Sequence, residues 1–75
     1  MMPLSMVKTG MPGTIYKING RDHTRRFLEG LGFVEGERVT VVSELGGNLI
    51  LQVKDARVAL DRSMANRIWV EDAVG

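Results

Sequence analysis

Nine glycines divide this chain of 75 residues into short apolar segments, and this spacing constrains the fold more than any other feature of the sequence. Apolar segments of about four to eight residues between glycine-containing turns are typical of β-strands. The clearest case is the segment with Leu49, Leu51 and Val53, which alternate and therefore share one face of a strand. The adjacent Gly46 and Gly47 precede it and predict a tight hairpin turn. The chain is therefore predicted to be mainly β.

One segment shows helical spacing instead. Residues 21–31 carry an apolar stripe, which consists of Phe27, Leu28 and Leu31. Asp22 is placed to cap the start of this helix, because its carboxylate can accept a hydrogen bond from a first-turn N–H. Gly32 fits the left-handed conformation that ends many helices. We expect one short helix here, with Phe27 and Phe33 in the core.

The predicted order is a strand, the helix, a three-stranded meander, one capped helical turn at residues 61–66, and a last strand. Strands are expected at residues 14–19, 38–44, 49–53, 57–60 and 67–71, and a short, partly apolar segment at residues 4–8 precedes them. Ile15 and Ile18 stand three residues apart, so a β-bulge is needed to turn both inward. Short strands in so small a chain leave unpaired edges unless the sheet curls, which predicts a small barrel.

Residues for catalysis or metal binding are scarce. Cysteine is absent, and His23 is the only histidine. A nucleophile needs a base within hydrogen-bond reach, and no serine lies near His23 in the sequence. Asp22 adjoins His23, but further ligands do not converge on this pair. We therefore expect no enzymatic activity, no cofactor and no metal site.

Charge and hydropathy narrow the class further. The formal net charge is +1, without the basic excess of a dedicated nucleic-acid-binding protein. No apolar run approaches the roughly 20 residues that cross a bilayer. The first residues lack the basic and long apolar regions of a signal peptide. We expect one cytoplasmic domain that covers residues 1–75.

Several short motifs carry a resemblance to a known family. They are Gly10-x-x-Gly13-x-Ile15, the run from Arg25 to Phe33 (RRFLEGLGF), Gly36-x-x-Val39, Val58-Ala59-Leu60 and Ala65-x-x-Ile68-x-Val70. Their joint order and spacing resemble the ferrous iron transport protein A (FeoA) family. The resemblance implies an SH3-like barrel of five or six strands, with one short helix after the first barrel strand and a helical turn before the last strand.

The same resemblance implies a function. Members of this family are expected to act as cytoplasmic accessory or regulatory proteins of ferrous iron uptake. The implied partner is FeoB, the membrane permease with a GTPase domain, which would recruit the protein to the inner face of the cell membrane. Iron is then the cargo of the pathway and not a ligand of this chain. The barrel also resembles the C-terminal domain of metal-dependent repressors.

Trp69 is the leading candidate for partner binding. Ile68 and Val70 take the inner face of the last strand, so alternation points Trp69 outward. Val42 and Ile50 are also out of phase with the inward-facing residues of their strands, and the three together predict an exposed apolar patch. Tryptophan is enriched among binding hot spots. The alternative is that the helix or the N-terminal segment covers Trp69, which makes it part of a second small core.

The arginines support more than one interpretation. Arg25 and Arg26 lie with Arg21 near the start of the helix, where they either pair locally with Asp22 and Glu29 or present a basic face to an acidic partner. An alternative function is nucleic-acid binding through these arginines, which predicts a steep salt dependence. A third hypothesis is weak self-association through Trp69.

Overall fold

A computed structural model describes residues 1–73 of the chain. The strands in this part are Met2–Pro3 (β1), Pro12–Ile18 (β2), Arg38–Leu45 (β3), Asn48–Val53 (β4), Ala56–Asp61 (β5) and Ile68–Glu71 (β6). The helices are Asp22–Gly30 (α1) and Arg62–Ala65 (α2), and a 3₁₀ turn covers Leu4–Met6.

The six strands form one antiparallel sheet in the order β1-β6-β2-β3-β4-β5. The register shifts between Ile15 and Lys17 in β2, and between Val41 and Ser43 in β3. Each shift is a bulge, which bends its strand and increases the local twist. The predicted bulge in the first barrel strand is thereby confirmed, as is the mainly β barrel with a helix after that strand and a helical turn before the last.

A single apolar core fills the inside of the curled sheet. The alternating residues of β4, Leu49, Leu51 and Val53, are 3%, 0% and 1% exposed. Strands β2, β3, β5 and β6 each contribute buried aliphatic residues to the same cluster. The predicted inward phase of Leu49, Leu51 and Val53 is therefore confirmed, and Phe33 is buried as expected.

The two ends of the sheet meet at a seam formed by the 3₁₀ turn and α2. Ser5 Oγ donates to Asn66 Oδ1 at 2.7 Å, and an Arg62 guanidinium N–H donates to the carbonyl oxygen of Ser5 at 3.0 Å. Arg62 also pairs with Glu44 at the end of β3. The 3₁₀ turn follows edge strand β1, and α2 follows edge strand β5. These bonds therefore connect the segments that follow the two edge strands, although the residues are far apart in sequence.

The capped turn before the last strand is also confirmed. Asp61 precedes α2 and accepts hydrogen bonds at Oδ1 from Met64 N, at 2.8 Å, and from Ser63 Oγ, at 3.0 Å. The bond from the Met64 N–H, followed by the bond from Ser63, lowers the pKa of the Asp61 carboxyl. This is the usual effect of hydrogen bonds that favour the charged form of a carboxyl group.

The predicted details of α1 need two corrections. The N-cap is Arg21, which makes no side-chain capping bond, whereas Asp22 lies inside the first turn. Phe27 is 53% exposed, so its predicted place in the core is wrong. Successive helical residues differ by about 100° in direction, and Leu28, which is fully buried, takes the position that faces the barrel. Gly32 ends the helix with a φ of 108°, as predicted.

The N-terminal segment supplies the sixth strand. This strand is Met2–Pro3, just ahead of the apolar segment at residues 4–8, of which Leu4–Met6 form the 3₁₀ turn. Leu4 is buried in the core at 1% exposure, which the turn achieves without strand pairing. In the part of the chain that the structure describes, we find no helix with the length and apolar composition needed to cross a membrane.

Candidate partner-binding surface

Trp69 lies on β6 between two fully buried neighbours, Ile68 and Val70, and is itself half-buried. In the sheet it stands opposite Pro3 of β1 and Lys17 of β2. The ammonium nitrogen Nζ of Lys17 is 5.5 Å from the centroid of the Trp69 ring, which is within the range of a cation–π interaction. The ring is therefore held on the outside of the barrel by its neighbours, and part of it faces solvent.

Tyr16 extends this exposed aromatic area. It sits at the bulge in β2, next to Lys17, and is 46% exposed. We call Tyr16, Lys17 and Trp69 the Trp69 surface. The sequence predicted either an exposed Trp69 or a Trp69 covered by the helix or the N-terminal segment. The structure lies between the two, because Trp69 points away from the core and is half-buried, while the N-terminal strand β1 pairs with β6.

Val42 and Ile50 lie elsewhere on the barrel. Val42 is the extra residue in the β3 bulge, beside the pair formed by Ser43 and Ile50, and both Val42 and Ile50 are half-buried. The N–H of Gly10, ahead of β2, donates to the carbonyl of Val41 at 2.7 Å, whereas Trp69 stands opposite Lys17 near the other end of β2. At about 3.3 Å per residue, these positions are roughly 20 Å apart. The prediction of one continuous patch with Trp69 is wrong for this reason.

Arg25 and Arg26 are both exposed on α1. Arg25 lies 3.8 Å from Asp22, and the two side chains are 48% and 80% exposed. An ion pair this open to water contributes little stability. Of the two local partners that the sequence predicted, Asp22 is the one that Arg25 contacts. The arginines therefore remain largely available to another molecule.

Phe27 adjoins the two arginines and is exposed, whereas its place in the apolar stripe predicted that it lies in the core. We call Arg25, Arg26 and Phe27 the α1 surface. The sequence carries no local signal for this exposure, because Phe27 and Leu28 both belong to the apolar stripe of the helix. An exposed aromatic beside arginines is the combination that binding hot spots favour.

Within residues 1–73, no group of three or more His, Cys, Asp or Glu side chains is placed to hold a metal ion. His23 is exposed on α1. The buried side chains of the described residues are all apolar.

The architecture is that of a small SH3-like barrel, a class in which the filled interior leaves the outer surface for contacts. The model of the FeoA domain matches residues 2–72 of the chain. The chain belongs to the FeoA domain family. The family assignment made from the motif spacing is thereby confirmed.

A relative from Methanocaldococcus jannaschii, named as a candidate Fe(2+) transport protein A, is 30% identical over 73 residues. The match covers 97% of this chain and 89% of the relative.

Two solved structures have nearly the same extent. Stenotrophomonas maltophilia FeoA, an SH3 domain protein complexed with zinc, is 34% identical with a TM-score of 0.82, over 95% of this chain and 91% of that one. A FeoA structure described as an iron uptake regulatory protein is 27% identical with a TM-score of 0.85, over 92% and 93%. A manganese-dependent transcriptional repressor shares the fold alone, at 23% identity and a TM-score of 0.84 over 35% of its length.

Proposed function

We propose that this chain is a non-enzymatic, cytoplasmic accessory protein of ferrous iron uptake, which acts by binding the FeoB permease at the inner face of the membrane. The observation that carries the proposal is the full-length match to the FeoA family, including a relative named for Fe(2+) transport that aligns with 97% of the chain. The Stenotrophomonas structure is described as a candidate ferrous iron transport activating factor, which agrees with an accessory role.

The distribution of side chains supports action by surface contact. The barrel interior is filled by aliphatic residues and Phe33, most of them under 4% exposed. Large apolar side chains that remain open include Tyr16 and Phe27, at 46% and 53% exposure. Interfaces between proteins are enriched in aromatic residues and arginine. The Trp69 surface and the α1 surface both have this composition.

The charges suggest what the partner presents. Arg25 and Arg26 carry planar guanidinium groups that bind carboxylates through two parallel hydrogen bonds. The only described partner of either is Asp22, which is 80% exposed and exchangeable with water. We expect the permease to offer acidic side chains to α1 and an apolar pocket to Trp69.

Isothermal titration calorimetry with the cytoplasmic domain of the cognate permease tests this function. We expect saturable binding by the wild type. Trp69→Ala should weaken it by about 30-fold or more, since hot-spot tryptophans contribute about 2 kcal/mol or more. The double variant Arg25→Ala/Arg26→Ala should weaken it about ten-fold, with a larger loss at low salt. Leu45→Ala and Lys8→Ala, at exposed positions away from both surfaces, serve as matched controls.

The same samples distinguish permease binding from the alternative of nucleic-acid binding. Fluorescence anisotropy with RNA and DNA oligonucleotides at two salt concentrations should give no saturable signal. Folded wild-type protein that gives no heat and no co-elution with the permease domain, but binds oligonucleotides with a steep salt dependence, would replace the proposed function with that alternative.

A further inference from the structure

The two edges of the sheet differ in the extent to which their backbone groups are paired. At one edge, β1 covers β6 through the pairs Met2–Val70 and Pro3–Trp69. At the other edge, β5 pairs with β4, and among residues 1–73 no strand pairs with its outer side. An uncovered edge strand presents unpaired N–H and C=O groups, which form a template for another strand.

The register of the β4–β5 hairpin shows which groups face outward. Val53 and Ala56 close the hairpin over a short turn at Lys54 and Asp55, and such a closing pair is hydrogen-bonded. Hydrogen-bonded and non-hydrogen-bonded pairs alternate from there. The backbone groups of Arg57, Ala59 and Asp61 therefore point away from β4, and all three residues are exposed.

This edge is complementary to itself. When a second β5 lies antiparallel with the Ala59 residues of both copies on a twofold axis, Arg57 stands opposite Asp61 of the second copy, and the reverse pair forms at the other end. A shift by two residues in either direction puts Arg57 opposite alanine or beyond the strand. A shift by four in one direction opposes Arg57 to Arg57, which is repulsive. Only one register places opposite charges at both ends.

The side chains in question keep free atoms for this contact. Arg57 donates from Nε to Gln52 Oε1 at 3.0 Å, which leaves its two terminal nitrogens. The described hydrogen bonds of Asp61 both end on Oδ1, which leaves Oδ2. The carboxyl is also held in its charged form by those bonds.

The outer face contributes an apolar strip that ends at this edge. Ser43, next to the extra residue Val42, pairs with Ile50, and Ile50 pairs with Ala59. Val42 and Ile50 are half-buried and Ala59 is exposed. In the twofold arrangement the strip continues across Ala59 into the same strip of the second copy.

We infer that two copies of this chain associate through antiparallel pairing of β5 with β5, with Ala59 on the twofold axis and two ion pairs between Arg57 and Asp61. The contact is isologous, so it closes as a dimer and does not extend into a filament. A six-residue edge buries much less than the roughly 1,000 Å² of a stable interface, so the dimer is weak and forms at high concentration. It uses neither the Trp69 surface nor the α1 surface, and it stands independently of the proposed function.

Sedimentation equilibrium of the intact chain, from about 10 µM to about 1 mM, tests the dimer with a charge swap. We expect Arg57→Asp and Asp61→Arg each to raise the dimer dissociation constant at least ten-fold, because like charges then face each other. An equimolar mixture of the two variants should form heterodimers, since one native pair of Arg57 with Asp61 is kept and the other pair is restored with reversed polarity. Lys8→Asp changes the net charge by the same amount as Arg57→Asp, at an exposed site off the edge, and should dimerise like the wild type.

Circular dichroism establishes that each variant is folded, since Asp61→Arg also removes the cap of α2. If that variant does not fold, Arg57→Asp is compared with Lys8→Asp, and Ala59→Pro removes the outward N–H at the axis without removing a bond to β4. Both edge variants should be monomeric where Lys8→Asp dimerises. A wild type that stays monomeric to about 1 mM, or edge variants that dimerise as the wild type does, would overturn the inference.

Discussion

The β3–β5 meander and helix α1 bury their apolar residues to very different extents. Along β4 every second residue is buried, with Leu51 at 0% exposure. Helix α1 has nine residues and buries only Leu28, while the adjacent Phe27 is 53% exposed. The meander therefore carries much of the core, and α1 packs against this core mainly through one leucine.

The difference follows from geometry. A strand in a curled sheet has neighbours on both sides and turns one whole face inward, so its two-residue period is used along its full length. A helix that lies against a barrel touches it along a narrow stripe, and the rest of its surface faces solvent. The meander thus contributes most of the burial, while most of α1 faces solvent. Arg25, Arg26 and Phe27 can therefore be exposed on α1 without loss of core packing.

The largest effect is expected in the meander. Leu51→Ala should lower the free energy of unfolding by about 2–5 kcal/mol, because it removes buried methyl groups and leaves a cavity. Chemical denaturation monitored by circular dichroism measures this change. Leu45→Ala is the matched control, since Leu45 is 72% exposed at the tip of the same meander. A loss below about 1 kcal/mol for Leu51→Ala would mean that the core does not depend on this strand.

Gly13 in the barrel should not tolerate a larger side chain. A Cβ at Gly13 would lie 3.0 Å from Ala73 Cβ and 3.1 Å from Val70 Cβ, in a packed part of β2. Gly13→Ala should therefore destabilise the chain by about 1–3 kcal/mol, as overpacking does. The same denaturation measurement applies, and an unchanged midpoint would show that β2 and β6 separate easily at this point.

The identical substitution on α1 should have the opposite sign. A Cβ at Gly30 meets nothing within 4 Å, and the residue is the last one inside the helix. Gly30→Ala should stabilise the chain by about 0.5–1 kcal/mol, because alanine loses less backbone entropy in a helix. A lower melting temperature for this variant would contradict the view of α1 as an open surface element.

The smallest effect on stability is expected at Phe27. Phe27→Ala should change the free energy of unfolding by no more than about 0.5 kcal/mol, since about half of the side chain is already in water. Its effect should appear instead as weaker binding to the permease domain in calorimetry. A large loss of stability with unchanged binding would mean that Phe27 packs in the core and takes no part in partner binding.

The strand phases could be predicted because they are local. Leu49, Leu51 and Val53 alternate over a five-residue stretch, and a register error would expose all three. Gly46 and Gly47 have φ values of 57° and 84°, as the predicted tight turn requires.

Other features depend on contacts that no local pattern contains. The side of α1 that faces the barrel is set by where the helix lands, so Phe27 and Leu28 could not be told apart by hydrophobicity. The setting of Trp69 depends on Pro3, at the far end of the chain, and on the bulge that brings Lys17 opposite the ring. The separation of Trp69 from Val42 follows from the sheet order, which the strand boundaries alone do not give.

Hydrogen exchange with mass spectrometry, with and without the cytoplasmic domain of the permease, tests most directly whether the outer surface carries the function. We predict slower exchange in the complex for peptides that cover α1 and the Tyr16–Lys17 bulge, and unchanged exchange at the Leu45–Asn48 turn. Equal exchange at α1 and the bulge in the two samples, under conditions in which the complex is formed, would contradict this account.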